Sequence, residues 1–136
     1  MLPGHVKLDA FPNCLLTFGC CRFHFASLAH DNVAQSSVVH DIKVIPFYAG
    51  VEPFSAIVLE GTQLVPKFRQ TEADEVRILM VLHRIPSKNI DILETWNIPM
   101  VSSDGDAVGN EGLAAAKADV ERFVNSFKIV DFGLFA

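Results

Sequence analysis

Cysteine is scarce in this 136-residue chain: Cys14, Cys20 and Cys21 are the whole complement, all within the first 21 residues. An odd number with two adjacent members is poor material for a disulfide framework, so a reducing compartment is expected. Their spacing also matches no two-residue-spaced ligand couple, which argues against a zinc or redox pair and for buried thiols. Positive charge is thin as well. Eleven Lys and Arg face 16 Asp and Glu, a formal charge of -5, and the bases are scattered. Such a chain repels phosphate backbones and anionic lipid, so neither a nucleic acid nor a membrane surface is expected, and a basic protein surface is the easier partner. Apolar runs are short. The longest, Val76 to Ile85, is interrupted by Arg77, His83 and Arg84, far from the ~20 residues needed to cross a bilayer. The opening residues have no basic stretch followed by a clean apolar core, so secretion is not expected. Neither GxGxxG nor GxxxxGK[ST] occurs, which leaves the glycines without a dinucleotide or phosphate loop.

What is present is one domain's worth of chain with half its residues hydrophobic, sufficient for one core and not for two. Residues 1–21, broken by Pro3, Gly4, Pro12 and Gly19, hold no period for two turns. From 22 to 32, RFHFASLAHDN places Phe25, Leu28 and Ala29 at helical spacing, and His30, Asp31 and Asn32 read as a helix end entering a turn. VVHDIKVIPF alternates as a strand, with Val38, His40, Ile42, Val44 and Pro46 on one face; Ile42 and Val44 mark the core side. Pro46 cannot donate to a ladder and so belongs at a strand end or sheet edge. FSAIVLEG is expected to end at Gly61, with a hairpin or bulge before the short strand TQLVPKF.

EVRILMVLHRI is the strongest strand, with Val76, Ile78, Met80 and Leu82 opposite Arg77, Leu79, Val81 and His83. NIDILETWNI alternates again after a short turn, so the two pair antiparallel, because a parallel crossover needs about a dozen residues or more. A stripe of Leu113, Ala116, Val120, Phe123, Val124 and Phe127 predicts a terminal helix, with Asn110 as its cap. The tail KIVDFGLFA reads as a last strand. Phe123, Phe127, Phe132, Leu134 and Phe135 are expected to close the core. The resulting fold class is α+β, an antiparallel β-sheet with flanking helices, in which one amphipathic helix lies on the sheet as a second layer.

Catalytic patterns are weak. His24 and His30 are six apart and do not share a helix face; His40 and Asp41 leave opposite sides of a strand. The acidic groups Glu72, Asp74 and Glu75, and Asp104 with Asp106, read as solvated loops, so neither catalytic residues nor a metal or other cofactor is expected. The C-terminal aromatics and Trp96 read as core, a fraction of them available as anchors to a basic partner.

Several pieces in this order resemble the Mog1 family of Ran-binding nuclear transport factors: RFHFASLAHDN at 22–32, GTQLVPKF at 61–68, VRILMVLHRIP, NIDILETWNIP, and ERFVNSFKIVDFGLF. The resemblance spans residues 22–135, which divides the chain into an atypical segment at 1–21 and a Mog1-like domain at 22–136. It implies a Mog1/PsbP-like sheet, binding to the GTPase Ran, promotion of guanine-nucleotide release, a place in nucleus and cytoplasm, and no enzyme chemistry. His30, Asp31 and Asn32 match the turn after an early helix and are its implied partner-binding residues. Residues 1–21 carry nothing like the family's acidic DNQEVF stretch, so an incomplete fold, weakened Ran binding and self-association through an unpaired sheet edge are expectations too. A PsbP-like structural or assembly protein, and a small enzyme using His24, His30 or His83, are the rival readings.

Overall fold

The computed structural model describes residues 14–49, 52–67, 72–85, 90–102, 105, 107–131 and 133. Helix α1 (Cys14–Asp31) is followed by four strands, β1 (Ser36–Ala49), β2 (Glu52–Pro66), β3 (Ala73–Ile85) and β4 (Ile90–Val101), and then by α2 (Gly109–Ser126). The strands form an antiparallel meander in the order β1-β2-β3-β4. This is the expected α+β class, but the layering differs. The α1 and α2 helices cover opposite faces of the sheet, giving three layers instead of two and a separate apolar cluster on each side. A sheet whose two faces are both rich in apolar residues requires this: Ile78, Met80 and Leu82 of β3 point to α1, while Leu79 and Val81 point to α2, and all five are at most 2% exposed.

Helix α1 begins well before the periodic stretch at 22–32. It sets Phe18, Cys21, Phe25 and Leu28 against the sheet, at intervals of three and four residues that share one helix face. Its outer side is also apolar in places, with Phe23 68% exposed, which hides the period from a sequence reading. Burying Phe25 to 2% exposure contributes roughly 2–3 kcal/mol.

β2 does not end at Gly61. It runs unbroken through it, because α1 needs the space: a Cβ at Gly61 would stand 2.4 Å from Cζ of Phe25 and 2.8 Å from the Val38 carbonyl oxygen. The irregularity lies on the neighbouring strand. Val39 pairs with Gly61 and Asp41 with Glu60, leaving His40 as the extra residue of a β-bulge. The bulge reverses the face assignment before it: Val39 joins Ile42 and Val44 in the α1-side cluster, whereas Val38 is 52% exposed. The His40 Nε2 lies 2.6 Å from Oγ1 of Thr62. Pro46 sits on β1, an edge strand, as its missing donor requires.

At the other end of the chain, Asn110 does not cap α2. Val108 is the N-cap residue, without a side-chain hydrogen bond; its N–H donates to the Pro99 carbonyl at 2.9 Å, so the helix start is fixed by a tether to β4. Leu113, Val120 and Val124 are buried, with Ala116 and Phe123 beside them. Lys117 adds an ionic fastening: its Nζ is 3.1 Å from Oε1 of Glu60, which also accepts from Nη1 of Arg77 at 2.7 Å. Burial pushes the Glu60 carboxyl up, but the bonds from Lys117 and Arg77 outweigh it and hold the group below its ordinary value of 4.5.

The tail beyond Ser126 is not a strand over its described part. Phe127 turns extended at φ -64, ψ 130, Val130 is 93% exposed, and the Asp131 carboxylate accepts from the Gly133 N–H at 2.8 Å. That local side-chain bond competes with ladder formation. Of the residues expected to close the core, Phe123 and Phe127 pack on the sheet: Phe123 lies 5.2 Å from Trp96, and Phe127 stacks 4.1 Å from His83. Phe132, Leu134 and Phe135 lie outside the described residues, as do Asp104 and Asp106.

Two outcomes are expected. Gly61→Ala lowers unfolding stability in urea by about 1–3 kcal/mol through overpacking, and Phe25→Leu in the same chain recovers part of the loss. Glu60→Gln is destabilising at pH 7 and less so at pH 3. A carboxyl held low in the folded state stabilises above its unfolded value, and that contribution fades as pH falls through the folded one. Chemical denaturation at the two pH values reads the difference.

Candidate functional site

The last residues of α1 and the turn that follows it place His30, Asp31 and Asn32 at one corner of the molecule. The His30 Nδ1 is 3.6 Å from Oδ1 of Asp31, with side chains 91% and 79% exposed. Neither is sealed from a partner. The corner is closed by backbone hydrogen bonds. The Val33 N–H donates to the His30 carbonyl at 3.1 Å and the Ala34 N–H to the Ala29 carbonyl at 2.9 Å, which is the paired closure of a Schellman motif. Gln35 N–H then joins the Leu64 carbonyl at 2.8 Å, binding the turn to β2. Beneath it, Gln63, fully buried, donates from Nε2 to the Phe25 carbonyl at 3.1 Å, so helix and sheet are also joined by a side-chain clamp.

Such a closure needs one residue in the left-handed region, usually glycine or asparagine. Here Val33 takes it, at φ 53, and it is the only non-glycine residue at positive φ among those described. A β-branched side chain there is a conformational outlier, costing about 1–2 kcal/mol. Its own side chain is 73% exposed, so intramolecular burial offsets little of that cost. Sequence reading points to the three polar residues and passes over Val33. Asn32 is the residue type that tolerates this conformation, and only the hydrogen-bond register shows that the position falls one residue later.

His24, His30 and His83 are each near an acid, which side-chain alternation alone does not reveal. His24 on α1 has Nε2 3.6 Å from Oδ2 of Asp91, and Arg84 brings Nε within 3.6 Å of the other oxygen. Arg84 also donates from Nη1 to Sγ of Cys20 at 3.0 Å. His83 lies 3.4 Å from Oε2 of Glu94 but is 1% exposed, roofed by Phe123 and Phe127; it is a core histidine, more deeply buried than its strand position suggests. Asp74, read above as part of a solvated acidic run, is 4% exposed and meets Nζ of Lys67 at 2.9 Å. Burial pushes the Cys21 thiol up to about 12, which keeps it protonated and unreactive. Among the described residues, no group of three or more His, Cys, Asp and Glu is arranged to hold a metal ion, and no helix is long and apolar enough to cross a membrane.

Relief of the backbone strain is measurable directly. Val33→Gly is expected to raise unfolding free energy by about 1 kcal/mol, the left-handed penalty less the greater freedom of glycine in the unfolded chain. Denaturant titration of the two proteins checks it.

Comparison with known proteins agrees with this architecture. The family described as Mog1, Ran-interacting Mog1 protein, matches residues 17–99, a stretch that starts inside α1 and ends near the close of β4. A Ran guanine nucleotide release factor from Danio rerio is 30% identical over 122 residues, covering 84% of this chain and 67% of the relative. No solved structure matches the chain. With the family pattern running from the first helix through all four strands, the chain belongs to the Mog1 family of Ran-related nuclear transport factors.

Proposed function

We propose that the protein binds the small GTPase Ran and promotes release of its guanine nucleotide, in the nucleus and cytoplasm, as a binding module and not as an enzyme. The observation that carries this reading is the 30% identity to a Ran guanine nucleotide release factor across 84% of the chain. The reading asks for no covalent chemistry. A protein that binds the nucleotide-free GTPase more tightly than the loaded form must, by linkage, weaken nucleotide binding by the same factor. What the module has to supply is a rigid surface, and the two helices clamped on opposite sides of a four-stranded sheet supply one. Its acidic balance of 16 carboxylates against 11 bases also favours encounter with a basic protein surface.

Release of a fluorescent guanine nucleotide from Ran, followed as this protein is titrated to saturation, tests the proposal. The rate is expected to rise with concentration and level off. A rate that stays at the intrinsic value throughout would overturn the exchange function, and absence of binding to nucleotide-free Ran would overturn the partner.

A further inference from the structure

We infer that Val33 is an apolar anchor for the partner, directly following the polar residues His30, Asp31 and Asn32 at the end of α1. The inference rests on the functional reading above and takes the GTPase as the occupant. Three observations converge on it. Val33 closes α1 in the left-handed region at φ 53, where glycine would close the same Schellman motif without strain. Val33 is 73% exposed, so burial among the described residues offsets little of that strain. And two polar residues shortly before it are open, His30 at 91% and Asp31 at 79%.

An exposed apolar group on a closed backbone turn, beside open polar residues, suits an interface anchor: the apolar part is dehydrated on binding and the polar residues beside it help to exclude water. The motif fixes the direction of the side chain before contact. Little ordering is then left for the complex to impose. The charge at the corner selects the chemistry opposite. Asp31 is the acid there, its nearest ionic neighbour being the exposed His30 ring at 3.6 Å, so the matching surface carries an apolar hollow for Val33 and a lysine or arginine for Asp31.

The experiment compares the full chain with Val33→Gly, Val33→Asn and Asp31→Asn, measuring the affinity of each for nucleotide-free Ran alongside its thermal stability. Glycine and asparagine both accept the left-handed conformation, so both variants keep the turn while removing the methyl groups. Expected are melting temperatures at or above the parent's, with affinity about tenfold weaker for the two Val33 variants. For Asp31→Asn, a few-fold loss that shrinks at high salt is expected. A merely structural Val33 gives the same gain in stability with affinity unchanged, and that result would overturn the inference while leaving the functional reading intact. Should the parent protein itself fail to bind Ran, the functional reading falls and the anchor falls with it.

Discussion

The seat that Gly61 leaves for the ring of Phe25 is the contact on which the remaining architecture depends. A glycine in mid-strand weakens β2 locally, yet it lets a helix approach close enough to bury an entire aromatic side chain. The bulge at His40 lies on the adjoining strand at the same level, and Gln63, two residues along, holds the Phe25 carbonyl. Void, bulge and clamp act together on one turn of α1. They fix the height at which the helix ends, and so place the exposed corner at 30–33 relative to the sheet.

The second face is organised differently. There α2 is held by a wide apolar stripe and by the charged contact of Glu60 with Arg77 and Lys117, which ties helix, central sheet and β2 into one cluster. Phe123 and Phe127 cover His83 at the far end, with Trp96 edge-on to Phe123. The helix is thus fixed ionically near its middle and by ring contacts at its exit, while its entry hangs from the Pro99 carbonyl. Among the described residues, neither a capping side chain nor a strand after α2 takes part in seating it.

Much of the fold was legible in the sequence because strand alternation is a local property. The faces of β3 and β4, their antiparallel pairing and the stripe of α2 follow from side-chain spacing alone. What escaped is what depends on distant residues. The first half of α1 has apolar groups on more than one side, so no period stands out until the sheet selects a face. The bulge at His40 offsets the pattern by one residue with no marker in composition, and Gly61 reads as a breaker until Phe25, far away in sequence, is placed above it. The pairs of Glu60 with Lys117 and of His24 with Asp91 join separate elements and have no spacing to betray them. At the corner, the helix end was readable from His30, Asp31 and Asn32. The left-handed residue was not, because a valine is the type least suited to the conformation it adopts.

The plain meander of the sheet governs how the chain reaches this state. Every strand pairs with its neighbour in sequence, so each hairpin can close across a short connection, and loop-closure entropy grows slowly with connection length. The contacts of greatest sequence separation belong to the helices, which reach back or forward over the sheet to Gly61, Gln63 and Glu60. Contacts of high sequence separation slow folding, and the ribbon stripped of its two helices would show both apolar faces to solvent.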